Sequence, residues 1–377
     1  MGACDDAFLN VSLAPIGERV GVRESLSPEI MPFDIATLPR FIKEIGRGKN
    51  AARDLSRDDA QALFAAMLAG EVPDLQLGGI LIALRVKGES LDELAGFVAA
   101  CEASYAHVPA LADGRVPVVI PSYNGGRQLP NLVPLLALLL AREGVPVLVH
   151  GVSRDPGRVS TREVFEALGI APAASVEEAH AQLSARRHAF LPIDTLAPQI
   201  ANLLSMRARL GVRNSTHTVA KMLKAIDGPA VRIVSVTHPE YLVRMREYFT
   251  RYDTDALILR GAEGEAVAHP RREPAIDWAH AGVSVTWTSS VRPERSNADS
   301  KDERQALPSR EADVTARWIE RVLAGGIEIP PAIAHQVECC KRAAAWGQTP
   351  ASSGSDPGLE GSDRGLSRLG SDPGLNR

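Results

Sequence analysis

The residues best suited to chemistry are Tyr123-Asn124-Gly125-Gly126-Arg127, inside PVVIPSYNGGRQLPNLVPLLALLLAREGVPVLVHG at 117–151. A glycine pair between an apolar run and a helix presents backbone N–H groups that can cradle an anion. Asn124, Gly125, Gly126 and Arg127 are therefore candidate phosphate ligands. Arg127 stands where a magnesium-bound phosphate would call for an acid nearby.

A second set is cationic. Across 40–58, Arg40, Lys43, Arg47, Lys49, Arg53 and Arg57 outnumber Glu44, Asp54 and Asp58, six cations against three acids, net +3. Between Met206 and Lys224, Arg207, Arg209, Arg213, Lys221 and Lys224 meet no acid, net +5. The candidate nucleic-acid contacts are Arg207, Arg209, Arg213, Lys221, Lys224, Lys43, Arg47 and Lys49. On a helix, Lys221 and Lys224 share a face at i, i+3, and His217 lies at i−4 from Lys221. Asn214 or Ser215 can cap that helix and leave N–H groups for a phosphate. The plain alternative is a solvated helix face.

These residues need elements to hold them. From Ile35 to about His107 the pattern is helical. Ser56 caps a helix with Asp58 and Asp59 in its first turn, and Leu75 to Leu84 and Leu91 to Cys101 read as two more helices. The pattern then changes. Val118-Val119-Ile120, Val147-Leu148-Val149, Ile233 to Val236 and Ala256 to Leu259 read as strands with helical segments between, and Val283 to Trp287 as a late strand. Ala197 to Arg209, Ser215 to Ala225 and Ala312 to Ala324 read as helices. Such alternation predicts an α/β fold with a mainly parallel central sheet beside a small N-terminal helical domain. The expected divisions are a loose extension at 1–35, a helical domain at 36–110 joined by helices from about 197–225, and an α/β domain at 111–345. A tail at 346–377 repeats GSDPGL, GSDRGL and GSDPGL, too polar to bury a core, and is expected to be disordered.

Bulk composition narrows the function. The 377 residues carry a formal net charge of −4, so there is no global basic field and any polyanion must meet a local patch. Cys4, Cys101, Cys339 and Cys340 form no CxxC pair and no zinc spacing, which fits idle thiols in a reducing compartment. The start, MGACDDAFLN, lacks the features of a signal peptide, and the longest apolar run, Leu132 to Ala141, is too short for a bilayer. A cytoplasmic protein with no membrane partner is expected.

Long motifs then carry a resemblance. ALFAAMLAGEVPDLQLGGILIALRVKGESLDELAGF at 62–97 and EVFEALGIAP at 163–172 resemble anthranilate phosphoribosyltransferases of the glycosyl transferase family 3 superfamily. KEIGRGKNAARDL (43–55), PSYNGGR (121–127), LLALLLAREGVPVLVHGVSRDP (135–156), GVRNSTHTVAK (211–221), SVTHPEYLVRM (235–245) and RGAEGE (260–265) are similar to one branch of it, the YbiB-type DNA-binding proteins. The resemblance covers roughly 35–345 and implies a nucleoside phosphorylase/phosphoribosyltransferase-like fold and a homodimer.

It also implies a lost reaction. The enzymes use a Gly-Thr-Gly-Gly-Asp loop, where this chain has Arg127 in place of the acid. Their Asn-Ile-Ser-Thr is here Asn131-Leu132-Val133-Pro134, and their Lys-His-Gly-Asn is Val149-His150-Gly151-Val152. The resemblance thereby adds Asn131, His150 and Gly151 to the candidate phosphate ligands. Their paired Asp-Glu for magnesium maps near Glu265-Ala266, with Glu263 as the nearby substitute. Leaving pyrophosphate needs metal and preorganised donors, so no catalytic residue, metal or cofactor is assigned. The leading expectation is a DNA-binding protein of low sequence specificity, with single strands and RNA as further partners. The rival is a glycosyl or phosphoribosyl transferase with an altered acceptor, using Gly125-Gly126, Asn131, His150-Gly151 and Glu265.

Overall fold

The N-terminal helices form where caps and apolar spacing ask for them. The computed structural model describes residues 33–48, 50–272, 274–288 and 307–346; Cys4, Lys49, nearly all of the expected N-terminal extension and the repeat tail lie outside these. Helices α1 (Leu38–Ile45), α2 (Arg57–Ala69), α3 (Asp74–Lys87) and α4 (Leu91–Glu102) come first. Ser56 accepts the Asp59 N–H at 3.1 Å, the expected cap. Ser90 and Glu93 cap α4 reciprocally. Glu93 is fully buried, and its carboxylate takes the Lys87 ammonium at 2.6 Å and the Leu55 N–H at 2.9 Å. That pair pins the α2–α4 crossing, where Phe64 and Phe97 stack with centroids 4.6 Å apart.

The α/β part follows: β1 (Val118–Ser122), α5 (Val133–Arg142), β2 (Val147–Gly151), α6 (Thr161–Ala167), α7 (Val176–Arg186), β3 (His188–Pro192), α8 (Ile193–Leu196), α9 (Pro198–Leu210), α10 (Thr216–Val219), β4 (Val231–Val236), α11 (Pro239–Arg251), β5 (Ala256–Arg260), β6 (Ala275–His280), β7 (Val283–Thr288), α12 (Ala312–Leu323) and α13 (Pro331–Trp346). The sheet order is β3-β2-β1-β4-β5-β6-β7. The first five strands run parallel, with Val118 opposite both Val147 and Val231, and β6 and β7 are antiparallel additions. Alternate residues feed two cores. Val119 and Leu148 join a cluster that runs on into the helical bundle, whereas Val118, Ile120, Val147 and Val149 pack with Phe165, Trp278 and Ile319 on the other face.

This topology creates the site. Strand order reverses at β1, whose neighbours are β2 and β4, and ligands of open α/β sheets collect at such a switch point beyond the strands' carboxyl ends. The loops after β1, β2 and β5 meet there. Helices α9 and α10 pack on α2 and α4, so this later segment belongs to the helical bundle.

One expected element differs. Ser215 to Ala225 is not a single helix: α10 is four residues long, a 3-10 turn spans Ala220–Met222, and Leu223 is extended. Ala225 adopts a left-handed φ of 58°. Lys221 and Lys224 therefore share no helical face. The α10 start is also satisfied internally, Thr216 N–H donating to Asn214 Oδ1 at 3.1 Å and His217 N–H to Asn214 O at 3.1 Å.

Candidate anion site

The glycine loop has the expected shape, but its donors are taken. Asn124 N–H donates to Glu265 Oε1 at 2.6 Å, and Gly125 N–H donates to the same oxygen. Gly126 N–H goes to Val159 O at 2.9 Å. Arg127 and Gln128 N–H donate to Glu263 at 2.6 and 3.0 Å, and Leu129 N–H at 3.3 Å. Every backbone N–H from Asn124 to Leu129 thus meets the chain itself. Two carboxylates from the loop after β5 occupy the anion-seeking face. Glu265 is 2% exposed and its second oxygen accepts the Ser122 hydroxyl at 2.6 Å.

The fit of these loops leaves little slack. Gly125 has φ 72°, and a Cβ there would stand 2.8 Å from Val159 O. Gly264 has φ 85°, and its Cβ would fall 1.9 Å from Asn124 Nδ2. Between the two acids, Glu263 itself holds a left-handed φ of 51°, a conformation that disfavours a side chain. The expectation of an open phosphate cradle at Asn124, Gly125, Gly126 and Arg127 is corrected on this point: the nest exists and is filled in cis. Asn131 serves as a strut, donating to Thr161 Oγ1 at 3.0 Å and accepting from Val133 N–H at 3.2 Å. His150 is wholly buried, its Nδ1 2.7 Å from the Tyr123 hydroxyl, and burial pulls its pKa down to about 4. It therefore offers no charge to a phosphate at neutral pH. Gly151 lies against Ser122, whose carbonyl oxygen would be 1.9 Å from a Cβ.

Beside this loop, cations gather. Arg213 precedes α10, His217 lies in it, Lys221 follows it, Arg207 comes from α9 and Arg158 from the loop after β2. Burial is the first cause that lowers the Arg213 pKa, followed by the charges of Arg207 and Arg158, with Asp155 and Glu265 opposing. Burial draws Lys221 down to about 8, helped by Arg213 and Arg158 and opposed by Glu265. Its ammonium donates to Gly264 O at 2.9 Å. His217 falls to about 4 through burial and the charges of Arg213 and Arg207. Mutual lowering of this kind marks an excess of positive charge in a partly desolvated junction. Arg158 also donates to Gly125 O at 3.3 Å, joining the cluster to the glycine loop.

The other cations are placed differently. Arg207 meets Asp155 at 3.2 Å and Arg209 meets Asp74 at 3.2 Å, so acids far away in sequence offset two of the five charges in 206–224. Lys224 leaves the cluster: its N–H donates to Glu102 at 2.6 Å and its ammonium to Gly228 O at 3.0 Å. Lys43 is exposed on α1, and Arg47 pairs with Glu44 at 2.9 Å. Helix α1 packs on α3, whose start meets Arg209, so both basic segments belong to one helical body. Arg158 and Asp155 were not among the sequence candidates. The basic VSRDPGR run after β2 was their one visible signal.

Comparison with known proteins gives this geometry a lineage. The helical bundle domain of the glycosyl transferase family matches residues 39–104. The Escherichia coli (strain K12) protein YbiB is 46% identical over 303 residues, 80% of this chain and 92% of that protein. This chain belongs to the YbiB branch of the anthranilate phosphoribosyltransferase-like superfamily. Within the superfamily, the anthranilate phosphoribosyltransferase of Sinorhizobium medicae is 30% identical over 220 residues, 57% of this chain and 64% of that enzyme. The Thermus thermophilus enzyme superposes with a TM-score of 0.63 at 22% identity, covering 83% of this chain and 93% of that one. The Saccharomyces cerevisiae enzyme in complex with PRPP and Mg superposes with a TM-score of 0.61 at 14% identity, covering 84% and 97%. These two likenesses establish the fold.

Magnesium does not fit the residues this superfamily member presents. Glu263 and Glu265, the acids nearest the expected metal position, are spent on backbone N–H donors and the Ser122 hydroxyl. The Glu265 charge also faces Lys221 and Arg213. Among the described residues no group of three His, Cys, Asp or Glu could hold a metal ion. No helix there is long and apolar enough to cross a membrane.

Proposed function

We propose that this chain binds nucleic acid through the sugar–phosphate backbone with little sequence preference, DNA first, with single strands and RNA as further partners. One observation carries the reading. Arg158, Arg207, Arg213 and Lys221 converge beside a glycine loop whose donors are already used by Glu263 and Glu265. A cationic cluster with incomplete counter-charge draws a polyanion by releasing its condensed counterions. The inherited loop cannot take a diphosphate without first expelling two carboxylates. Exposed Arg209, Lys43 and Arg47 extend the basic character over the helical bundle. We further propose a cytoplasmic homodimer. Leu75 (86% exposed), Ile82 (39%) and Val86 (57%) form a stripe on α3 with Gly78 and Gly79 between them, a flat apolar strip suited to a second copy. A dimer would double the cationic surface.

The test is an oligonucleotide titration over a salt series, with Arg207, Arg209, Arg213 and Lys221 changed to Ala singly and together. Wild-type affinity should fall steeply with salt and the combined variant should bind far more weakly. Equal binding by wild type and the combined variant, or none at low salt, overturns the proposal.

A second reading is a transferase with an altered acceptor. What favours it is the lowered pKa of Lys221 at the superfamily's cleft, since perturbed ionisable groups mark active sites as well as binding sites. Product release from phosphoribosyl pyrophosphate would establish it.

A further inference from the structure

The loop after β5 has two sides. Glu263 and Glu265 turn toward the glycine loop, whereas Arg260, the last residue of β5, and His269, further along the same connection, line a separate cavity of about 330 Å³. It lies where β4 and β5 end and α11 begins. Arg272 and His238 line it too, and among the described residues no carboxylate does. Arg260 and Arg272 make no ion pair among the described residues. His269 Nδ1 accepts the Arg271 N–H at 3.2 Å, so its neutral form carries the proton on Nε2 as a donor. Glu240, in the first turn of α11, is exposed and not part of the lining. Leu242 and Pro239 supply an apolar wall. The start of α11 has Pro239 at its first position and no side-chain cap.

We propose that this cavity binds a small phosphate monoester of mononucleotide size, a site distinct from the cationic cluster at α10. Two guanidiniums and two imidazoles suit a dianion, and a phosphate monoester is mostly dianionic at pH 7. The apolar wall suits a ring carried on that phosphate. The volume lies at the small end of ligand pockets, which hold roughly 300–1,000 Å³. The lining residues come from SVTHPEYLVRM, from Arg260 at the head of RGAEGE and from the segment after that motif, and none of them belongs to the α10 cluster.

The experiment is calorimetric titration of the full chain with adenosine monophosphate, adenosine and inorganic phosphate. Adenosine monophosphate should bind at one site per chain, more tightly than phosphate, with no heat from adenosine. Arg260→Ala and Arg272→Ala should each weaken it at least tenfold, and Arg213→Ala should leave it unchanged. Both arginines are exposed, so their variants should keep the wild-type melting temperature. Absence of saturable binding, equal affinity for phosphate, or binding that survives Arg260→Ala with Arg272→Ala overturns the site. Loss of binding in Arg213→Ala would move the ligand to the α10 cluster and overturn it as well, whether or not that cluster binds nucleic acid.

Discussion

The glycine loop at 124–129 and the cationic cluster around Arg213 lie side by side and are finished in opposite ways. In the loop, six successive N–H groups find acceptors within the chain, five of them on Glu263 and Glu265. In the cluster, cations lower one another's pKa and Asp155 and Glu265 oppose them only in part. A satisfied nest is a structural joint, and an under-neutralised patch is a surface waiting for an anion. Ancestry predicts ligand binding at the first, whereas the nucleic-acid proposal rests on the charge of the second.

The largest expected effect is at the joint. Glu265→Ala leaves the Asn124 and Gly125 N–H groups and the Ser122 hydroxyl without their acceptor, and Lys221 without its counter-charge. Removing one partner of such a buried network costs about 3–5 kcal/mol. Denaturant unfolding should show it, and a cost under about 1 kcal/mol would mean that the joint is not structural. Next comes charge reversal in the cluster. Arg213→Glu should weaken oligonucleotide binding by roughly tenfold or more and flatten its salt slope by about one unit for each phosphate the variant no longer neutralises. An unchanged slope would place the binding surface elsewhere.

A smaller effect tests whether the nest can be reopened. Glu263→Gly removes the carboxylate from Arg127, Gln128 and Leu129 N–H and relieves the left-handed backbone. The variant should bind inorganic phosphate measurably at the three freed N–H groups where wild type does not, and failure to gain any binding would show that Glu263 is not what closes this half of the loop. Smallest is the pH effect. The folded pKa of His217 is depressed to about 4 from 6.5, so the unfolded chain takes up the proton first as pH falls. Stability should decline between about pH 6.5 and 4, and His217→Gln should reduce that slope in thermal melts. If the slope is unchanged, His217 does not carry it.

Much of the frame was legible in the sequence. The cap at Ser56, the apolar runs of β1, β2, β4 and β5, and the α/β alternation all follow local rules that the structure obeys. β3 was missed because its apolar stretch, Ala189 to Leu191, is three residues long between His188 and Pro192. β6 was missed because Asp277 interrupts it; the carboxylate is tolerated there through Arg246 and Thr286. The joint itself was hidden, since Glu263 and Glu265 reach N–H groups more than 130 residues earlier in the chain. The same distance effect misled the charge count, where Asp74 and Asp155 offset Arg209 and Arg207. Lys224 looked like part of a helical face until Leu223 turned the chain out of the helix.

The most direct measurement is calorimetry with phosphoribosyl pyrophosphate and magnesium, set beside a single-stranded oligonucleotide under the same buffer. A filled nest and an open cationic cluster predict saturable, salt-sensitive binding of the oligonucleotide. They predict no saturable, metal-dependent heat from phosphoribosyl pyrophosphate. Metal-dependent saturation by phosphoribosyl pyrophosphate, with no binding of the oligonucleotide, would contradict both halves of the account.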